Sequence, residues 1–290
     1  MAEVSDRRDQ QTPAQKFKND YHKHDGSVVV PCSDNPTQIR IDDPAVLASF
    51  IAFCSGPCRP VFLRGETRCF PSSVPSLFRN AGNELEQRWA AYKCFLNRLQ
   101  ELHPPLRGTR WQGTEHLGAV LQHYGIRTPW LDVVRNLYTA IWFATHDFET
   151  RGSCFVATTS EREHGYISIY DARPEGRTWL KVVDLWGDDS SRHFRPHAQH
   201  GLSLAKQDDD GNPRGKQDLE PYRIAHVRFP NSRQWALCGH MFSARFLFPA
   251  PEYDDSLKQL SRPDIQSTLD RACTENDLPR GTLGVVSHYM

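Results

Sequence analysis

Apolar residues recur at helical spacing through the first half of the chain. This spacing predicts helices that begin at Asp43-Pro44, span residues 83–102 with Asn83 as a cap, run from Thr114 to a stop at Gly125, and span residues 136–148. Between the first two helices, the short apolar run 61–64 predicts a strand that ends at Gly65.

The second half changes to short apolar runs with the spacing of strands. Strands are predicted over residues 154–158, 166–170, 180–185 and 223–229, and Pro263 can begin a last helix. Helices followed by strands predict a single α+β domain with N-terminal helices, in which the later strands contribute a mostly antiparallel sheet.

Residues 1–25 are polar and charged without apolar periodicity, which predicts a disordered or loosely attached arm before a domain over residues 26–290. No apolar run approaches the ~20 residues of a membrane span, and the polar N-terminal sequence favours a cytoplasmic location.

Net charge and cysteine spacing exclude some classes of partner and of structural site. Lys+Arg and Asp+Glu both number 35, and this zero net charge argues against bulk nucleic-acid binding. None of the eight cysteines forms a Cys-x-x-Cys pair, so reduced thiols are expected rather than a zinc site or a disulfide framework.

Three motifs stand in a distinctive order between residues 60 and 150. They are Phe62-Leu63-Arg64-Gly65-Glu66, then the helix that contains Glu86, then Gln122-His123-Tyr124-Gly125 followed by Thr128, Leu131-Asp132 and Ala140-Ile141-Trp142-Phe143-Ala144. This order resembles the FRG domain, a family named for its Phe-Arg-Gly signature. Beyond residue 150 the resemblance is weak, although Gln199-His200-Gly201 is similar to a Gln-x-Gly element of the family.

The sequence departs from the family pattern at three places. Leu63 occupies the position of the signature Phe, Arg127-Thr128-Pro129 stands where the family has Pro-Thr-Arg, and Val133-Val134 replaces a Trp-Thr pair. The exchange around Thr128 argues against a functional role for Arg127.

The first motif predicts ligand-binding residues Arg64, Gly65 and Glu66. A strand-end arginine can present its planar fork to a phosphate or a carboxylate, and the glycine leaves room for a ligand to approach. The structural alternative is a salt bridge from Arg64 to Glu66 or Glu86.

The second motif predicts ligand-binding roles for Gln122 and Tyr124, and catalytic roles for His123, Thr128 and Asp132. A helix C-terminus favours a charged imidazole, while a hydroxyl and a carboxylate beside it can bind ribose or orient a base. The alternatives are core packing for Tyr124 and helix capping for His123, Thr128 and Asp132.

The Arg-Gly strand end and the Ala-x-x-Phe-Ala helix also resemble, more weakly, one class of ADP-ribosyltransferases. That resemblance implies an ADP-ribosyltransferase-like fold, in which the arginine holds the phosphates of NAD, the hydroxyl segment orients a ribose, and a late Glu binds its 2′-hydroxyl. The candidates for the late residue are Gln199, Glu220 and Glu252.

The leading hypothesis is an intracellular FRG-domain protein that binds a phosphate-bearing nucleotide, NAD, as a substrate for ADP-ribosyl transfer or NAD glycohydrolysis. No tightly bound cofactor is expected. One alternative is a non-catalytic recognition module that uses the same pocket. The other is a metal-dependent hydrolase around His193, His197 and His200, although Pro196 between them breaks a helix unless it lies in the first turn.

Overall fold

Strands are distributed along the whole chain. The computed structural model describes residues 16–17, 29–32, 35–56, 60–102, 114–151, 154–173, 180–185, 193–206, 218–239 and 242–289. The strands are β1 (Val29–Cys32), β2 (Asn35–Ile41), β3 (Val61–Glu66), β4 (Leu131–Val134), β5 (His146–Arg151), β6 (Cys154–Thr159), β7 (His164–Asp171), β8 (Leu180–Asp184), β9 (Gly201–Lys206), β10 (Arg223–Pro230) and β11 (His288–Tyr289).

Helices connect and cover these strands. They are α1 (Pro44–Cys54), α2 (Leu85–Leu102), α3 (Thr114–His123), α4 (Leu137–Thr145), α5 (Phe194–Ala198), α6 (Arg233–Gly239), α7 (Ala244–Leu247), α8 (Asp255–Leu260) and α9 (Pro263–Thr274). Side chains cap four of the described helices at the N-terminus: Asp43 accepts from the backbone of Ala45, Asn136 from Tyr138 and Thr139, Ser243 from Phe246, and Asp254 from Leu257.

The larger sheet has the strand order β1-β2-β10-β7-β3-β4-β9-β8, and all its pairs are antiparallel except β2 with β10. The smaller sheet has the order β11-β6-β5. The α+β class and the mostly antiparallel sheet are therefore confirmed. The order is more mixed than the sequence predicts, because β1 to β4 come from the first half of the chain.

The apolar faces of the helices and strands form several packed clusters. Helices α1, α4 and α6 cover one face of the larger sheet, where Phe50, Ile141 and Trp235 are buried. Helices α2, α3, α8 and α9 pack together in a second cluster. Residues of β4, β7, β8 and β9 form a third.

Two elements differ from the sequence prediction near the candidate site. Strand β3 does not end at Gly65 but continues to Glu66. Helix α4 ends at Thr145, and residues predicted as its last turn begin strand β5 at His146. These residues form a strand because they pair with β6, from His146 opposite Thr159 to Arg151 opposite Cys154.

Phe17 lies within the segment predicted to be a loose arm, yet its side chain is buried. Its ring packs edge-on against Phe50 and Phe53 of α1, with centroids 5.0 and 5.3 Å away. Apart from Lys16 and Phe17, residues 1–25 lie outside the described part of the chain, so the boundary at residue 25 stays a prediction.

None of the helices in the described ranges is long and apolar enough to cross a membrane.

Candidate functional site

A pocket opens where strands β3 and β4 separate. The two strands pair at a single position, Leu63 with Val134, and then diverge. The cavity of about 300 Å³ lies at the lower end of the range for small-molecule sites. Its lining is Leu63, Arg64, Gly65, Glu66, Thr67, Phe70, Arg79, Gln122, His123, Asp132, Val133, Val134, Phe143, His146, Asp147, Phe148, Gln199 and Phe248.

Arg64 bridges the gap between the diverging strands. Its Nε lies 2.9 Å from Oε1 of Glu66, and its Nη1 donates to the backbone oxygen of Asp132 at 2.8 Å. Burial alone lowers the pKa of Arg64, but the carboxylates of Glu66 and Asp132 and the nearby Tyr170 raise it above the ordinary value. The guanidinium therefore stays charged at the pocket wall.

His123 and Asp132 face each other across the pocket. Nε2 of His123 is 3.6 Å from Oδ1 of Asp132, which is too long for a hydrogen bond. Both atoms are buried, and neither has a hydrogen-bond partner among the described residues. A buried polar atom without a hydrogen-bond partner costs desolvation free energy. A hydrogen-bond donor from a ligand or a water molecule, placed between the two atoms, would remove that cost.

Gln122 holds the other oxygen of Asp132. Its Nε2 donates to Oδ2 of Asp132 at 3.3 Å, while its Oε1 accepts from Oγ1 of Thr128 at 2.7 Å and from Oγ of Ser76 at 3.0 Å. The two hydroxyls thus fix the side-chain amide, which in turn orients the carboxylate.

Aromatic rings form one wall of the pocket. Phe248 meets Phe143 and Phe148 edge to face, with centroid distances of 6.1 and 5.6 Å. His146 stacks on Trp142 at 4.3 Å. Flat apolar faces beside charged groups suit a planar heteroaromatic ligand with a polar substituent.

Asp147 is a third carboxylate of the lining. Burial raises its pKa, but hydrogen bonds from Ser160 at 2.5 Å and Thr67 at 2.9 Å, together with the charges of Arg162 and Arg68, lower it overall. Asp147 is consequently an ionised group whose oxygens are already engaged by the protein.

Comparison with known proteins gives one match. The family model of the FRG domain matches residues 59–152. The match covers 94 of the 290 residues, and this segment is similar to the FRG domain. No curated protein and no solved structure matches the chain. The matched segment runs from β3 to β5 and supplies Arg64, His123 and Asp132, whereas Gln199 and Phe248 reach the same pocket from outside it.

Six of the residues predicted for the site line this pocket: Arg64, Gly65, Glu66, Gln122, His123 and Asp132. The missing side chain of Gly65 does not serve ligand approach. A Cβ there would lie 1.8 Å from the backbone oxygen of Ala140, so the glycine allows α4 to pack on β3. The salt bridge that the sequence left open joins Arg64 to Glu66.

Tyr124 and Thr128 do not line the pocket, so their ligand-binding and catalytic roles stay predictions that the pocket does not support. The Tyr124 ring is fully buried beneath the Arg195 guanidinium at 4.9 Å, and its hydroxyl donates to Asp254 at 2.9 Å. The environment of Tyr124 is that of a core residue, which is the alternative to ligand binding. Thr128 is also fully buried and acts on the pocket through Gln122.

Of the three candidates for the late residue, Gln199 lines the pocket. Glu220 accepts instead from Ser73 at 3.1 Å and pairs with Arg223, and Glu252 is exposed. The pocket's carboxylates are Glu66, Asp132 and Asp147. Sequence reasoning missed Asp147 because it lies where a helix was predicted.

The three histidines of the metal hypothesis do not gather. His193 is buried with Nδ1 against Oγ of Ser256 at 2.5 Å, while His197 is exposed. Within the described ranges, no group of three or more His, Cys, Asp or Glu side chains could hold a metal ion.

Proposed function

We propose that the pocket between β3 and β4 binds NAD and opens the bond between nicotinamide and ribose, by ADP-ribosyl transfer or by hydrolysis. The observation that carries this proposal is the buried pair of His123 Nε2 and Asp132 Oδ1, which face each other at 3.6 Å and lack a donor among the described residues. A ribose hydroxyl or a water molecule is such a donor.

The neighbouring groups support a nucleotide. Arg64 is a fixed, charged guanidinium, and its hydrogen bonds within the described residues use Nε and Nη1, which leaves Nη2 for a phosphate oxygen. Phe143, Phe148 and Phe248 offer aromatic faces and edges to a planar base.

The same groups suit the chemistry. When the glycosidic bond breaks, both bonding electrons leave with nicotinamide and an oxocarbenium-like ribose remains. The carboxylates of Glu66 and Asp132 stabilise positive charge nearby. His123 Nε2 can accept the proton of an attacking water or target hydroxyl, so hydrolysis yields nicotinamide, ADP-ribose and a proton.

This reading agrees with the weaker resemblance to ADP-ribosyltransferases, although that resemblance is an analogy of fold and motif. We place the activity in the cytoplasm, a proposal supported by Cys69, Cys94, Cys238 and Cys273, which form no disulfide within the described residues.

A recognition module that binds without turnover is the second candidate. It is favoured by the Arg64–Glu66 salt bridge, which already occupies part of the guanidinium, and by the position of Glu220 and Glu252 outside the pocket. Binding of ADP-ribose with no cleavage of NAD is its signature.

The experiment measures nicotinamide release from NAD by the full chain, with titration calorimetry of NAD and ADP-ribose alongside. Asp132→Asn should reduce release about 10²–10³-fold, the usual loss when one electrostatic stabiliser of a transition state is removed. Asp184→Asn is the matched control, because its side chain is 33% exposed, as is that of Asp132, and it pairs with Arg135 away from the pocket. Absence of binding by both ligands overturns the proposal.

A further inference from the structure

We infer that Gln199 is a positioning residue that fixes the tautomer of His123, so that His123 Nε2 is a proton acceptor and the site selects a ligand hydrogen-bond donor. The identity of that donor as a hydroxyl of a nucleotide ribose rests on the proposed function. The assignment of the His123 tautomer does not depend on the proposed function.

The orientation of the Gln199 amide follows from its two partners. Its Nε2 lies 2.9 Å from the backbone oxygen of Leu247, and its Oε1 lies 3.1 Å from Nδ1 of His123. A carbonyl only accepts, so the NH₂ group must face Leu247 and the amide oxygen must face His123. Nδ1 of His123 therefore carries a hydrogen, which leaves Nε2 of the neutral ring as the acceptor.

The surroundings hold the ring in this position. Gly201 has no side chain where a Cβ would lie 2.7 Å from Cε1 of His123. Arg195 donates from Nη1 to the backbone oxygen of His123 at 2.9 Å, and its own side chain is buried. Gln199 and Gly201 thus act together on one imidazole, the first by a hydrogen bond and the second by leaving space.

A fixed acceptor at Nε2 changes what the site can bind. Asp132 Oδ1 is also an acceptor, and Oδ2 of the same carboxylate is held by Gln122. A carbonyl or phosphate oxygen placed between the two acceptors would meet only lone pairs. A hydroxyl, a water molecule or an N–H group donates to one of them, so the pair selects a hydrogen-bond donor, and a ribose hydroxyl is the donor that the proposed function supplies.

The tautomer can be read directly by long-range ¹H–¹⁵N NMR on protein labelled with ¹⁵N-histidine, at a pH well above the ordinary pKa of histidine. His123→Gln assigns the signal. Wild type is expected to show Nδ1 protonated and Nε2 bare. Gln199→Leu, which removes the acceptor, should shift the population toward the form with Nε2 protonated.

Two further variants complete the test. Gln199→Glu keeps an acceptor of the same length and should retain the wild-type tautomer. Gln38→Leu is the matched control, because Gln38 is 5% exposed, against 4% for Gln199, and its amide donates to Cys69 from β2, a different part of the molecule from His123 on α3. It should leave the His123 signal unchanged.

The inference is overturned if wild-type His123 has Nε2 protonated, or if Gln199→Leu folds and keeps the wild-type tautomer. Should Gln199→Leu fail to fold, the wild-type and Gln199→Glu spectra still decide.

If the tautomer is as expected and the full chain releases no nicotinamide, the proposed reaction fails while the inference stands. If NAD is cleaved, Gln199→Leu should lower kcat about 10–100-fold, as for other residues that orient a functional histidine.

Discussion

Arg64 serves the fold and the pocket with one side chain. Its Nε and Nη1 join Glu66 to the backbone of Asp132, which connects the two strands whose separation opens the cavity. A guanidinium can make both contacts because its donors are held in a planar fork, and a lysine ammonium at the end of a flexible stem cannot.

Arg64→Lys should therefore weaken both stability and ligand binding. Loss of the fork is expected to cost about 1–3 kcal/mol in the free energy of binding NAD, with a smaller loss in the free energy of unfolding because the side chain is 21% exposed. Calorimetric titration and melting curves measure the two effects.

Arg40→Lys is the control for this substitution. Arg40 makes the same kind of contact, from its Nε to Asp42 at 2.9 Å, but its side chain is 51% exposed. Little change is expected there, since exposed ion pairs contribute about 0–1 kcal/mol. An Arg64→Lys variant that unfolds would show that Arg64 is mainly a structural residue.

Among the elements, the contact of β3 with α4 decides the shape of the pocket. Gly65 lets the strand and the helix approach until backbone meets backbone, and this brings Phe143 to the cavity wall. The glycine in the family signature therefore has a packing explanation in this chain.

Gly65→Ala should destabilise the protein by about 1–3 kcal/mol or more, because the new methyl group would lie 1.8 Å from the oxygen of Ala140 and the helix must shift. Urea unfolding measures the loss. Gly82→Ala is the comparison: its added methyl meets open space, and only the φ of +52° opposes it, at about 1–2 kcal/mol. Equal stability of wild type and Gly65→Ala would refute the close contact.

At the scale of the whole molecule, the larger sheet buries a histidine whose ring nitrogens contact no polar partner within the described ranges. His226 on β10 is 1% exposed, and neither ring nitrogen has a hydrogen-bond partner among the described residues. Burial, and then the charge of Arg223, lower its pKa to about 3. The folded protein thus keeps this ring neutral under conditions in which an unfolded chain would protonate it.

The consequence is a loss of stability in acid. Because the folded pKa lies below the ordinary 6.5, protonation favours the unfolded chain, and the contribution is complete above pH 6.5 and lost as the pH falls toward 3. In His226→Gln, the drop in unfolding free energy between about pH 7 and pH 5 should be smaller than in wild type by about 2 kcal/mol. Urea titrations at both pH values test this, and an unchanged drop would contradict it.

Local sequence patterns predicted much of the fold. The helix starts at Asp43-Pro44 and Asn136, the apolar faces of the helices and the strands of the second half all depend on neighbours within a few positions, so the sequence displays them directly. The four residues of β4 escaped prediction because so short a run shows no periodicity, and its pairing with β3 and β9 is long-range.

The sequence by itself determined which chemical groups are available: the Arg-Gly-Glu strand, the Gln-His pair at the end of α3 and Asp132. Tertiary structure alone decided how they are used. Gln199 lies 76 positions from His123, and Phe248 joins the pocket from beyond the family match. Tyr124, next to His123 in the chain, turns into the core instead. Neighbours along a chain point in different directions, whereas strand pairing and helix packing bring distant residues to one wall, and no local pattern encodes that pairing.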